Sequence, residues 1–252
     1  MIMQLLKDRR KHLLIDIDTQ KDFLFVGGNA CVFDNEKILA NIRRIMAWAR
    51  FEDVPIISIA EVHYNSSSEN SLNYCLEGTE GQRKIRYTLL NDRVSYPADG
   101  WNALPADLLR AHRQIILHKR CKDPFDEPRI DRLLSEVRAN EFILIGVGAE
   151  DAVKATALGL LQRGKNVRVI VNALGWHNEK QAKQAVRMMA AKGAKISTTK
   201  ELAGVSNLKG CDARLHRICH SRIIEICQNS QRILNESSDV ISNPSIPYYF
   251  PS

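Results

Sequence analysis

A three-layer α/β/α domain with a central parallel six-stranded sheet is the fold this sequence predicts, and three observations predict it. Short, nearly continuous apolar runs alternate with longer stretches in which apolar residues recur every three or four positions. The apolar runs carry few polar interruptions, as strands covered on both faces do. One of them ends in Gly146-Val147-Gly148 directly before a stretch of small residues, the strand-turn-helix arrangement of open parallel sheets.

Taken in order, residues 12–17 give the first strand, and Asp34 or Asn35 can cap the helix that follows. In that helix Ile38, Ile42, Ile45, Met46 and Ala49 keep helical spacing. Residues 54–60 form the second strand. Residues 61–104, rich in Ser, Asn and Gly, read as one long irregular region, which in a compact domain usually serves function. Residues 113–119 are the third strand, 128–140 a helix and 142–147 the fourth strand. Gly146 and Gly148 permit the sharp turn after it. The next helix begins at Glu150-Asp151, acidic residues favoured at the positive end of the dipole. Its Ala152, Ala155, Ala157 and Gly159 let it lie close to the sheet. Residues 166–171 are the fifth strand, 178–192 a helix closed by Gly193, and 194–197 the sixth strand. The domain spans residues 1–204.

Residues 205–252 are a separate extension. Leu215, Ile218, Cys219, Ile223, Ile226, Cys227, Ile233 and Leu234 recur at helical spacing and predict an amphipathic helix, followed by a proline-rich tail. His216 and His220 share a face, but Cys227 lies too far from Cys219 for one tetrahedral metal site.

Composition narrows the classes of function. With 44% hydrophobic and 26% charged residues, the 252-residue chain is of ordinary globular make-up. No apolar run approaches the roughly 20 residues that cross a bilayer. The N-terminal charges follow a short apolar piece, the reverse of a secretory signal. Six scattered cysteines without CxxC spacing fit reduced thiols, so a cytoplasmic location is expected. The formal charge of +7 fits an anionic ligand or plain solubility. A dense basic stripe with stacking aromatics is missing from the sequence, so neither nucleic acid nor membrane is expected as a partner.

Two sets of residues carry chemistry. Asp16 and Asp18 stand at the end of the first strand, two apart, so an extended chain points both to one face. Lys119 ends the third strand. Ile17-Asp18-Thr19-Gln20-Lys21-Asp22-Phe23 resembles the opening motif I/V-D-x-Q-x-D-F of the isochorismatase-like family. Gly146-Val147-Gly148-Ala149-Glu150-Asp151-Ala152-Val153 resembles its nucleophile turn, G-V-x-T-D-x-C-V. Lys119 with Asp123-Pro124-Phe125 is similar to K-x-x-Y/F-S/D-A/P-F, and Thr198-Thr199-Lys200-Glu201-Leu202 to the closing T-T-x-E-L. Cys75-Leu76-Glu77-Gly78-Thr79-Glu80-Gly81 is like the C-x-x-G-T-x-G of nicotinamidases, and Asn172-Ala173 stands where the family has Asp-Ala. The resemblance runs from about residue 12 to 203.

The resemblance implies a catalytic acid or base at Asp18, a lysine beside it at Lys119, and substrate contacts from Gln20, Phe23 and Val147. It implies an oxyanion site at the backbone of Gly148 and Ala152, helped by a cis peptide before Gly148. It also places the family's nucleophilic cysteine at Ala152, whose methyl group attacks nothing. Glu61 and His63 stand where nicotinamidases hold two ligands of a divalent metal, with Glu69 and Tyr74 at the other two. Tyrosine and two carboxylates make a poor set for such an ion, so no metal and no cofactor is expected. A homo-oligomer is implied by the family's habit.

Three functions follow as expectations. A nucleophile-independent hydrolase would use Asp18 as general acid on a small anionic substrate, in the manner of the isochorismatase branch, which has a small residue at the cysteine position. A catalytically inactive relative would bind a metabolite or a protein. A relocated thiol at Cys121, two residues after Lys119, is the third.

Overall fold

A computed structural model describes residues 10–64 and 72–204. These belong to one compact unit, Met1–Gly204. The expected C-terminal helix and tail, together with Glu69, lie outside the described residues.

Seven strands, all parallel, form one sheet in the order β3-β4-β2-β1-β5-β6-β7. They are β1 (Arg10–Ile17), β2 (Ile56–Glu61), β3 (Arg93–Tyr96), β4 (Gln114–Lys119), β5 (Ala139–Val147), β6 (Val167–Gly175) and β7 (Lys195–Ser197). The sheet therefore has one strand more than the six expected. The addition is β3, inside the stretch read as irregular. Its four residues Arg-Val-Ser-Tyr alternate between exposed and half-buried, and they pair only with β4 at the edge. So short a run carries no pattern by itself; the neighbouring strand supplies its hydrogen bonds.

The helices are α1 (Lys21–Leu24), α2 (Asn35–Phe51), α3 (Leu108–Ala111), α4 (Pro128–Glu136), α5 (Ala152–Gln162), α6 (Glu179–Ala191) and α7 (Thr199–Ala203). They divide between the two faces of the sheet. One core joins Leu13, Ile15, Ile17, Ile57 and Leu144 to α3, α4, α5 and α6. The other joins Leu14, Ile56, Ile143 and Ile145 to α1 and α2. This division follows from the period-2 direction of strand side chains, which sends odd residues of β1 to one face and Leu14 to the other. Thr198 and Glu201 form a reciprocal capping box on α7, the physical content of the closing T-T-x-E-L pattern.

The topology fixes where a ligand can sit. From β1 the chain builds outward through β2 to β4 and β3, then returns to β5 and builds the other way. The connections after β1 and β5 thus leave in opposite directions, and a crevice opens between their carboxyl ends.

Candidate functional site

Asp18 is the first residue past β1, and its φ of 50° takes the chain out of the extended form. Asp16 and Asp18 therefore do not share a face. Asp16 stays in the strand, fully buried, and pairs with Lys84 at 2.8 Å and with the Ser58 hydroxyl at 2.9 Å. Asp18 instead turns into a cavity of about 480 Å³ at the carboxyl edge of the sheet. Phe23, Tyr74, Glu61, Val147, Gly148 and Ala152 are among the residues that line it.

Lys119, the last residue of β4, lies beneath this cavity with no exposed surface. Its Nζ is 3.0 Å from Asp18 Oδ2 and 2.9 Å from Glu61 Oε2. Glu61 ends β2, between the other two in the sheet, and its Oε1 is 2.6 Å from His63 Nε2. Parallel strands ending side by side bring these three charges together although they are far apart in sequence. Burial pushes the Asp18 carboxyl up to about 6, against the pull of Lys119 and with help from the Glu61 charge. At Glu61 burial also acts upward, but the charge and hydrogen bond of Lys119, with His63, hold the carboxyl below its ordinary value. Burial alone would lower the Lys119 ammonium, yet the two carboxylates hold it above the usual lysine value. Among the described residues, Asp18 Oδ1 has no hydrogen-bond partner.

Close approach of β1 and β5 is what seats the nucleophile-type turn. A Cβ on Gly146 would lie 1.9 Å from the Ile17 carbonyl oxygen, and its φ is 131°. Only glycine fits there. After it, the Gly148 and Ala149 N–H groups both donate to the Gly175 carbonyl, at 3.1 and 3.0 Å. The Gly148 amide is thus occupied by the end of β6 rather than free for an oxyanion. The cis peptide expected before it is not found; no cis bond occurs among the described residues. Helix α5 starts at Ala152, one turn position later than the acidic pair suggested, with Ala152 buried at the cavity wall.

The other expected site residues divide in two. Phe23 and Val147 line the cavity. Gln20, expected at the substrate, is fully buried, and its side chain brackets the backbone instead. Its Oε1 accepts from Glu61 N–H at 2.7 Å, and its Nε2 donates to the Glu61 and Gln82 carbonyls, each at 2.7 Å. Cys121 follows the end of β4, so the two-residue alternation that would place it beside Lys119 no longer holds. It is half-buried, its thiol is pushed up by burial and by Asp126 and Glu127, and it does not line the cavity.

The Cys75-to-Gly81 loop turns out to serve Asp22. The Asp22 carboxylate accepts from Cys75 N–H at 2.6 Å and from Asn29 N–H at 3.1 Å. A Cβ on Gly81 would strike that carboxylate at 2.1 Å. The loop is thereby pinned to α1, and it carries Tyr74 to the cavity rim. The Tyr74 phenol is pushed up to about 12, first by burial and then by the Glu61 charge.

Sequence reasoning missed Glu61 as the second partner of Lys119, and Glu150 as a lining residue. Glu150 Oε1 accepts from the His177 and Asn178 N–H groups at 2.8 and 2.9 Å, just before α6, while Oε2 has no partner among the described residues. Its place in the turn motif was the available signal, read only as a helix start. The lining is acidic although the formal charge of the chain is +7. Asp18, Glu61, Glu150 and Asp151 face the cavity, and the lining ammonium, Lys122, pairs with Asp151 at 3.2 Å. Total charge says nothing of where the charges lie.

A parallel sheet with an acid and a lysine meeting at its carboxyl edge defines the class, and the sequence places the chain within it. Residues 12–201 match the isochorismatase domain, and the chain belongs to that family. Solved structures share the fold. Nicotinamidase from Bacillus subtilis superposes with a TM-score of 0.60 at 18% identity, covering 74% of this chain and 99% of that one. Pyrazinamidase of Pyrococcus horikoshii in complex with zinc gives 0.58 at 20%, over 75% and 99%. A ribonuclease from Caenorhabditis elegans gives 0.52 at 20%, over 79% and 85%. At such identities the likeness establishes the fold alone. No curated protein matches the chain.

The zinc of that pyrazinamidase prompts a test of the corresponding residues here. The described ones, Glu61, His63 and Tyr74, do not fit a metal. Both Glu61 oxygens are engaged, one by the Lys119 ammonium and one by His63, and a neutral tyrosine hydroxyl is a poor ligand. A cation already stands 2.9 Å from the Glu61 carboxylate. Among the described residues no group of three or more His, Cys, Asp or Glu side chains is placed to hold an ion.

Proposed function

We propose that this protein is a hydrolase of the isochorismatase family that works without a nucleophilic thiol. Asp18 is the general acid and base, Lys119 sets its charge, and Ala152 stands where the thiolate of the amide-cleaving members would be. The observation that carries this reading is the Asp18 carboxylate itself: 2% exposed, 3.0 Å from Lys119, with one oxygen lacking a donor, on the wall of the cavity that Ala152 shares.

The reasoning is one of proton transfer. A bond cleaved by water addition after protonation, such as that of a vinyl ether, needs a carboxylic acid that still holds its proton near neutrality. Burial gives Asp18 a value of about 6, so roughly a tenth of it is protonated at pH 7. A group positioned in this way contributes about 10²- to 10⁴-fold. Without a thiolate there is no acyl-enzyme, so water attacks directly in the space beside Ala152. The other reading, a relative that binds a ligand and turns nothing over, is supported by that same missing nucleophile.

The deciding experiment assays wild type, Asp18→Asn and Ala152→Cys against vinyl ethers, isochorismate included, and against amides of varied charge. The acid mechanism gives turnover that resists thiol alkylation and falls as pH rises through about 6. It also falls by about 10²-fold or more in Asp18→Asn. Alkylation-sensitive turnover would replace it with a thiol mechanism. Folded protein that binds a ligand but hydrolyses nothing would replace it with the binding module.

A further inference from the structure

The proposed mechanism leaves one buried ion pair without a part to play. Lys84 Nζ lies 2.8 Å from Asp16 Oδ2, and the two side chains are only 5% and 0% exposed. Replacing such a pair by apolar side chains is often neutral or stabilising, so stability alone does not account for it. A second contact shows what it does. The same ammonium donates to the Thr19 hydroxyl at 2.7 Å. Asp16 lies two residues before Asp18 and Thr19 directly after it, so one cation ties the chain on both sides of the acid. The backbone that carries Lys84 is bonded to the same turn. Ile85 N–H donates to the Thr19 carbonyl and Lys21 N–H to the Arg83 carbonyl, each at 3.0 Å, and Gln20 pairs with Lys84 in an antiparallel bridge. Lys84 does not line the cavity. Asp16 points, like Leu14, to the face of the sheet that α1 and α2 cover. The tie is therefore made from behind the acid.

The turn it grips is an unusual one. The φ of 50° at Asp18 lies in the left-handed region, which a residue with a side chain seldom adopts, and that turn is what delivers the carboxylate to the cavity. A reacting group misplaced by about 1 Å can lose on the order of 10²-fold in rate. We propose that Lys84 is the positioning residue of this site: from the covered face of the sheet it anchors Asp16 and Thr19, and so fixes where the Asp18 carboxylate points. The inference rests on the reading of Asp18 as the acid and adds the residue that aims it. Lys84 also acts on the charge of Asp18. Burial pushes that carboxyl up, Lys119 from β4 pulls it down, Glu61 from β2 pushes it up, and Lys84 adds a smaller downward pull.

The experiment labels aspartate carboxyls with carbon-13 in the full chain and follows Asp18 by NMR against pH, its signal assigned with Asp18→Asn. In Lys84→Met, Asp18 should titrate above its wild-type value of about 6, because a positive charge is gone. On the vinyl ether or amide that the wild type hydrolyses, kcat should fall by about tenfold or more while KM stays within about threefold. Lys84→Arg keeps the charge and the donors, and should recover the titration and most of the lost turnover. If Lys84→Met does not fold, Asp16→Asn combined with it leaves no buried charge unpaired and carries the same expectations. Failure of both to fold overturns the inference, leaving Lys84 as a support of the sheet. So does a folded variant in which Asp18 titrates as in wild type, or one whose kcat is unchanged. A wild type that hydrolyses nothing removes the catalytic proposal alone, and the titration still decides whether Lys84 governs the Asp18 carboxylate.

Discussion

Replacing Lys119 with methionine tests the physical centre of the molecule. Methionine is close in length and apolar, so the change removes the ammonium while nearly filling its space. Two carboxylates then face each other underground, where before a cation lay 3.0 Å from one and 2.9 Å from the other. Breaking a buried ion pair from one side costs about 3–5 kcal/mol. For a domain of this size that is a fall in Tm of roughly 6–20 °C at neutral pH. The sign of the pH dependence can be worked through. Asp18 is raised in the folded protein, so its stabilising proton is held below its folded value of about 6 and lost as pH rises through that value. Glu61 is lowered, so its contribution is present above the ordinary carboxylate value and is lost as pH falls through its folded one. Between pH 7.5 and 5 Glu61 is largely ionised in both states, so in wild type Asp18 alone acts and stability rises modestly on acidification. Without Lys119 both carboxyls are raised, and the variant should recover more stability on acidification than wild type does. Urea unfolding of both proteins at pH 5 and pH 7.5 measures this. A loss under about 1 kcal/mol, or one equal at the two pH values, would show that the triad is not electrostatically coupled as described. Adding Asp18→Asn to Lys119→Met should restore part of the loss, because one buried charge then disappears.

Two further outcomes rest on single side chains. Asp22→Asn keeps the shape but gives up a charged acceptor for Cys75 and Asn29, so stability should fall by about 2–3 kcal/mol. Amide hydrogen exchange should quicken in residues 73–82 well before β1 or β5 is affected. Thr198→Ala removes half of the capping box on α7 and should lower stability by about 1 kcal/mol in thermal melts, leaving ligand binding in the cavity unchanged.

The strands and the larger helices were legible because each declares itself locally. The short apolar runs of 54–60 and 142–147 suit covered strands, and the spacing of Ile38, Ile42, Ile45 and Ala49 suits a helix facing the sheet. Strand β3 was not legible, since its pattern is half-exposed and its hydrogen bonds come wholly from β4. Motif resemblance put Asp18 and Lys119 side by side, and they lie 3.0 Å apart. It could not say that Glu61 would share the ammonium, nor that Gln20 would turn its amide to the backbone of residues 61 and 82.

What the sequence by itself determined is the parallel α/β architecture, because burial and periodicity act along the chain and a short list of turns can satisfy them; the pairing of Asp18 with Lys119 came from motif resemblance. The sign of charge inside the cavity was decided only by the tertiary structure. A chain with a formal charge of +7 folds its carboxylates around a crevice, and the ammonium nearest to them is pinned beneath it. Electrostatics depends on distance and burial across strands remote in sequence, and neither quantity exists until the sheet has closed.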